Sequence, residues 1–202
     1  MKLLAMRNLR APSVAGPDER RTGPIRVGVV PDKPLAFDPV AEARRQWRAH
    51  GWAIPEWMAA ATSIMRAQQI VLARVDGALR PLNLTFARYE ALVLLSFSRQ
   101  GALPMGKMGE RLMVHPTSVT NAIDRLESDG LVRRIAHPQD RRTVLAEITE
   151  SGRTLVETAT AVLNEVRFGM GELALHDVDA LFEQLKPLRS GAGDFIPVDG
   201  DP

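Results

Sequence analysis

The feature that most constrains how this chain can fold is residues 104–149, PMGKMGERLMVHPTSVTNAIDRLESDGLVRRIAHPQDRRTVLAEIT, where two short helical patterns run straight into two strand-length stretches around a proline turn. Over 105–112, Met108 and Leu112 share a face at i, i+4 while Lys107 and Arg111 lie off it. After a short break a second helix opens at His115-Pro116, because proline at the first helical position loses only an N–H that would be unbonded there. It closes at Asp129-Gly130, where glycine can turn left-handed and Leu131 can fold back on the last turn. Val119, Ile123 and Leu126 make its apolar stripe; Thr117, Ser118, Thr120, Asn121, Asp124, Arg125 and Ser128 fill the rest of its surface. Residues 131–136 and 143–148 have strand length, with Val144, Ala146 and Ile148 set against Thr143, Leu145 and Glu147. Two helices and a hairpin in this order are a winged helix-turn-helix. The expected fold class is mainly α with a small β-hairpin wing, flanked by N- and C-terminal dimerisation helices.

A helix with one buried stripe and one face of small hydrogen-bonding side chains can lie on a core and enter a DNA major groove, with Arg125 in reach of a phosphate or a guanine. A solvated surface helix has the same pattern. The hairpin weighs against that alternative, since Arg133, Arg134, Arg141 and Arg142 face a single acid, Asp140, between residues 133 and 142. Arginine at a hairpin tip fits the narrow, electronegative minor groove beside a recognition helix; arginines that merely keep a hairpin soluble are the rival reading.

The stretch from Asp140-Arg141-Arg142 to Ile148-Thr149 resembles the wing signature of the MarR-type transcriptional regulators: Asp-x-Arg, five residues, Leu or Ile, then Thr. Upstream, Leu84-Thr85 before Tyr89, the text from Val114-His115-Pro116 to Asn121, and Asp124-Arg125-Leu126-Glu127 leading to Gly130-Leu131-Val132 are similar to that family too. The resemblance spans about residues 54–189. It implies a sequence-specific regulator of transcription that binds double-stranded DNA as a homodimer on a pseudo-palindromic operator, as a ligand-responsive repressor in the cytoplasm. It also implies that Arg142 enters the minor groove with Asp140 as its charge-assisted partner. Arg141 adds to the wing's charge, and His115, Thr117, Ser118, Thr120 and Asn121 address bases or phosphates. Arg125 has two readings, a DNA contact or an ion pair with Asp124 and Glu127.

The remaining segments supply the frame. Trp57, Ala61, Ile64, Gln68, Val71, Val75 and Leu79 recur at threes and fours from Pro55 to the Arg80-Pro81 stop. Thr85 caps the next helix, Leu84 and Tyr89 take the positions of a hydrophobic staple, and Leu92, Val93, Leu95 and Phe97 mark it as the central core helix. Thr149 caps a long helix with Leu155, Ala159, Val162, Leu163 and Val166, which breaks at 168–171. Val178, Leu181, Phe182, Leu185 and Leu188 mark a last helix ending near Gly191. A winged core at 84–149 cannot cover the terminal helices at 55–80 and 150–190 by itself, whereas a second copy can. Residues 1–38, rich in Pro, Gly and Arg without periodicity, read as a loosely ordered arm, 39–53 as an extra helix, 54–190 as the main domain, and 191–202 as a flexible tail.

Trp47, Trp52 and Trp57 fall within eleven residues of a chain with 5% aromatics, either as packing or as a pocket for a planar ligand. The urate-responsive branch of the resembled family also carries an extra N-terminal helix with a tryptophan, to which Trp47 corresponds. That branch has Asp where this chain has Glu90, and Arg where it has Ala122, departures that argue against urate. An aromatic or anionic effector between dimer and DNA lobes would meet Trp47, Trp57, Met65, Arg66, Arg88 and Tyr89. No cofactor is implied. The chain has no cysteine, which excludes disulfides and thiol-based peroxide sensing. It has no bilayer-length apolar run, and residues 1–9 make a poor signal peptide. His50, His115, His137 and His176 lack metal-site spacing, and there is neither a phosphate loop nor a nucleophile elbow, so an enzyme is the weakest class. A winged helix used only for protein contact is the nearer rival.

Overall fold

The computed structural model describes residues 33–140 and 142–197. Most of the expected N-terminal arm, the end of the tail, and Arg141 therefore lie outside the described residues.

Helix α1 (Pro39–Ala49) begins where Asp38 Oδ1 accepts the N–H groups of Val40 at 2.8 Å and Ala41 at 3.2 Å, so Asp38, read as part of the arm, is the helix cap. Trp47 packs edge-on against Trp52, ring centroids 4.8 Å apart, and its Nε1–H donates to Ala53 O at 2.9 Å. Two of the three tryptophans thus staple α1 to the start of α2 (Pro55–Leu79); the third, Trp57, is 71% exposed. Arg48, and Arg44 at 3.1 Å, converge on the Glu56 carboxylate. Their hydrogen bonds, that of Arg48 foremost, hold its pKa down to about 2. A carboxyl depressed on folding contributes stability that is complete above its usual value of 4.5 and lost as pH falls through about 2. Glu56→Gln at neutral pH is expected to loosen α1 and shift tryptophan emission to the red; unchanged emission and quenching mean that the rings alone hold it.

Along α2 only Val75 and Leu79 are buried, and residues 60–69 are exposed apart from Thr62. The apolar stripe continues past the core that one chain supplies. A 3-10 turn (Arg80–Leu82) leads into α3 (Phe86–Ser96), whose cap Thr85 accepts the Arg88 N–H at 3.4 Å, with Leu84 and Tyr89 both buried as a staple should be. Tyr89, Ala91, Leu92 and Leu95 bury this helix at the centre of the core. Phe97, expected in that core, is 82% exposed. It lies two residues, about 200° of helical turn, from Leu95 and so faces the opposite way.

Strand β1 (Ala102–Pro104), too short to show alternation, runs directly into α4 (Met105–Leu112). The helix α5 (Pro116–Ser128) and the strands β2 (Val132–Ala136) and β3 (Val144–Ile148) complete the winged unit. The antiparallel sheet has the order β1-β3-β2, one strand more than the expected hairpin. The central position of β3 corrects the expected alternation: Leu145 is buried between its register partners Pro104 and Ile135, while Val144, beside the turn, is 45% exposed.

Helix α6 (Glu150–Glu165), capped by the Thr149 hydroxyl on the Gly152 N–H, buries Ala159 and Leu163, and Thr160 Oγ1 lies 2.9 Å from the Tyr89 hydroxyl. The chain then turns through Arg167, Phe168 and Gly169, all at positive φ, a joint held by Arg74 Nη1, which donates to Gly169 O at 2.7 Å. Helix α7 (Leu175–Gly191) follows and buries no residue, leaving Leu175, Leu181, Phe182 and Leu188 exposed. Beyond it Arg189 pairs with Asp194 at 2.7 Å and lies 5.4 Å from the Phe195 ring, which ties the first residues of the expected tail to the helix end. Among the described residues no helix is long and apolar enough to cross a membrane.

Candidate nucleic-acid interface

Local rules set α5 in place at both ends. His115 caps its start, its ring Nδ1 accepting the Thr117 N–H at 3.2 Å and lying 3.1 Å from the Thr117 hydroxyl. At the far end Gly130 has φ 71°, Leu131 N–H donates to Leu126 O at 2.9 Å and Gly130 N–H to Glu127 O at 3.0 Å, the paired bonds that close a helix on a left-handed residue. Val119, Ile123 and Leu126 are buried, so the opposite face must meet solvent or a partner.

On that face His115, Thr117, Ser118, Thr120, Asn121 and Arg125 are all exposed. Thr120 donates its hydroxyl hydrogen back to Pro116 O at 3.1 Å, which leaves its lone pairs outward. Among the described residues, the side chains of Ser118 and Asn121 make no internal hydrogen bond. They present unspent donors and acceptors.

The wing's charges are sorted differently from the expectation. Arg133 pairs with Glu147 across the sheet, and Arg134 engages both Asp124 and Glu127. Two of the four arginines are therefore neutralised, and the acids proposed as partners of Arg125 are taken by Arg134. Arg125 stands exposed at the C-terminal part of α5, where with Asn83, Arg88, Ser128 and Asp129 it lines a cavity of about 360 Å³. Arg88 bridges that cavity, donating to Asn83 O at 2.8 Å and pairing with Asp129 at 3.4 Å.

Asp140 does not hold the Arg142 guanidinium. Its Oδ1 accepts the Arg142 backbone N–H at 3.0 Å and its Oδ2 the Thr143 hydroxyl at 2.7 Å. These bonds, the Thr143 one foremost, lower the carboxyl's pKa. An aspartate two residues before its N–H partner folds the turn itself, so it orients the arginine through the backbone. His137 assists by accepting the N–H groups of Gln139 at 3.2 Å and Asp140 at 3.1 Å. Among the described residues the Arg142 side chain has no ion-pair partner.

The six residues proposed as a ligand wall do not form one wall in a single chain. Tyr89 is buried with its hydroxyl on Thr160, Trp47 is packed on Trp52, and Trp57, Met65 and Arg66 are exposed along α2. Arg88 does line a cavity, but beside α5. Sequence reasoning did not find the roles of Asn83, Asp129 and Arg134, because their partners lie 5 to 41 residues away along the chain.

Helices α4 and α5 followed by the hairpin of a three-stranded antiparallel sheet define the class of winged helix-turn-helix proteins. The MarR family model matches residues 84–144. Sco5413, a MarR family transcriptional regulator from Streptomyces coelicolor, is 56% identical, with a TM-score of 0.65 over 69% of this chain and 97% of that one. The organic hydroperoxide resistance transcriptional regulator of Bacillus subtilis is 33% identical over 53% of this chain and 71% of its own length. CouR from Rhodococcus jostii, solved with p-coumaroyl-CoA bound, is 27% identical, with a TM-score of 0.58 over 69% of this chain and 94% of that one. The chain belongs to the MarR family of transcriptional regulators; the family and these relatives are regulators rather than enzymes.

Proposed function

We propose that this protein is a homodimeric, ligand-responsive repressor that binds a pseudo-palindromic DNA operator, with residues 84–149 as reader and residues 55–80 and 150–190 as the dimerisation helices. The observation that carries the DNA reading is a set of outward side chains, Ser118, Asn121, Arg125 and Arg142, that have no hydrogen-bond or ion-pair partner among the described residues, while Arg133 and Arg134 beside them are paired with Glu147, Asp124 and Glu127. Thr117, Ser118, Thr120 and Asn121 address base edges and nearby phosphates, with His115 at the helix start. Arg125 takes a phosphate, and Arg142, with Arg141 beside it, reaches the minor groove. A salt titration of operator binding is expected to give a slope of log K against log salt of roughly −3 to −4, for Arg125 and Arg142 of each protomer neutralising phosphate charge. A slope near zero rules the phosphate contacts out.

The exposed apolar residues of α2 and α7 support the dimer. Trp57, Met65, Leu181, Phe182 and Leu188 need a cover that one chain does not provide, and a two-fold copy would set the recognition helices one DNA turn, roughly 34–36 Å, apart. The double variant Leu181→Asp/Phe182→Asp is expected to run as a monomer by light scattering and to lose about 100-fold or more in operator affinity, because each half-site then binds alone. A variant that stays dimeric places the interface elsewhere.

The effector we propose is a small aromatic or anionic molecule that prefers a dimer with wrongly spaced readers, lowering DNA affinity by the ratio of its two affinities. The p-coumaroyl-CoA seen in CouR supports that class. The peroxide role named for the Bacillus subtilis relative is not carried over as thiol chemistry, since this chain has no cysteine. A thermal-shift screen of aromatic acids, acyl-CoA thioesters and purines tests it, because a ligand of the folded dimer raises its melting temperature. A compound that shifts melting but leaves DNA affinity untouched is not the inducer.

A further inference from the structure

We infer that Arg134 is a positioning residue that fixes the angle between wing and recognition helix, and that it acts on DNA only through Arg142. This rests on the reading of Arg142 as a minor-groove arginine given above.

Arg134 sits in the middle of β2, paired in register with Ala146 of β3, and its side chain is 28% exposed. It meets α5 at three points. Its guanidinium engages Glu127 through Nη1 and Asp124 through Nη2, and its own backbone N–H donates to Glu127 Oε1 at 3.0 Å. Asp124 and Glu127 are i, i+3 on one side of the recognition helix, flanking the buried Ile123 and Leu126. A planar guanidinium bridging two carboxylates, with the strand backbone fastened to one of them, resists rotation in a way that a single contact or a lysine does not.

The consequence reaches the tip of the hairpin. β2 and β3 are bonded from Val132–Ile148 to Ala136–Val144, and His137 N–H donates to Thr143 O at 3.1 Å, so the hairpin moves as one lever with Arg142 at its end. Among the described residues no other hydrogen bond or ion pair joins the sheet to α5, and the apolar side chains buried between them, such as Ile123, Leu126 and Val132, resist separation but tolerate sliding. The clamp is the directional contact that removes that freedom, and with it part of the entropy lost when the wing enters the groove.

The test is a double-mutant cycle on operator binding with Arg134→Ala, Arg142→Ala and the pair, each dimer measured across a salt series. Arg134→Ala is expected to weaken binding about tenfold and to flatten the salt slope toward that of Arg142→Ala, while the double variant binds no worse than Arg142→Ala alone. Arg134→Lys, which keeps the charge but meets one carboxylate at a time, should fall between wild type and Arg134→Ala, and it serves if the alanine variant folds poorly. Losses that add, or Arg134 variants whose salt slope equals that of wild type, overturn the inference. If Arg142→Ala alone binds as wild type does, the minor-groove reading fails, and hydrogen exchange then judges the clamp. Faster exchange of residues 134–144 in Arg134→Ala, with residues 117–123 unchanged, retains the clamp; equal exchange throughout removes it.

Discussion

Gly152→Ala should destabilise the protein by about 2–3 kcal/mol, the range of strong overpacking, although a glycine-to-alanine change inside a helix ordinarily stabilises by about 1 kcal/mol. Gly152 lies buried in the first turn of α6, and a Cβ there would stand 2.3 Å from Leu131 O and 2.8 Å from Ile148 Cγ1. The carbonyl cannot simply withdraw, because it accepts the Thr149 N–H at 3.0 Å and so fastens the chain between recognition helix and sheet to the start of α6. Gly77 provides the control. It lies in α2 with nothing within 4 Å of the added carbon, so Gly77→Ala should raise the urea midpoint while Gly152→Ala lowers it. Equal shifts of the same sign would mean that α6 does not seat on the hairpin as described.

Arg142→Ala should reduce operator affinity by about 1–3 kcal/mol, roughly 5- to 150-fold, without a change in melting temperature. The separation of the two readouts follows from its surroundings: the side chain is exposed and has no ion-pair or hydrogen-bond partner among the described residues, so its removal breaks no polar link of the fold. Asp140→Ala is the contrasting variant. It takes the acceptor from the Arg142 N–H and the Thr143 hydroxyl, so the wing turn loosens and affinity falls with the arginine still present. Its carboxyl is depressed on folding, and its contribution is therefore complete above the usual 3.8 and lost only as pH falls below it, leaving binding from pH 5 to 8 insensitive to this group. Operator binding that survives Arg142→Ala intact would favour a winged helix that docks proteins.

Much of the fold was legible because its signals are local. His115-Pro116 and Asp129-Gly130 bound α5 in the sequence as in the structure, Thr85 and Thr149 cap the helices they precede, and the stripe Val119, Ile123, Leu126 is buried as its spacing requires. The errors had two sources, a helix phase that the spacing already carried and burial by a distant strand. Phe97 reads as core until the helix phase turns it outward, and Leu145 reads as an outer residue until β1 arrives to cover it. The three residues of β1 carry no period of their own and become a strand only by pairing with β3.

The sequence by itself determined the order of helices and hairpin, the polar face of α5 and the arginine at the wing tip, since each follows from spacing within a few residues. Tertiary structure alone decided which charges remain available to a partner. Arg133, Arg134 and Arg142 are the same residue type within ten positions, and only folding places Glu147 across the sheet from one, Asp124 and Glu127 beside the next, and, among the described residues, no ion-pair partner at the guanidinium of the third. An ion pair forms between side chains that three dimensions bring within about 4 Å, and the charge left unpaired is what DNA can use.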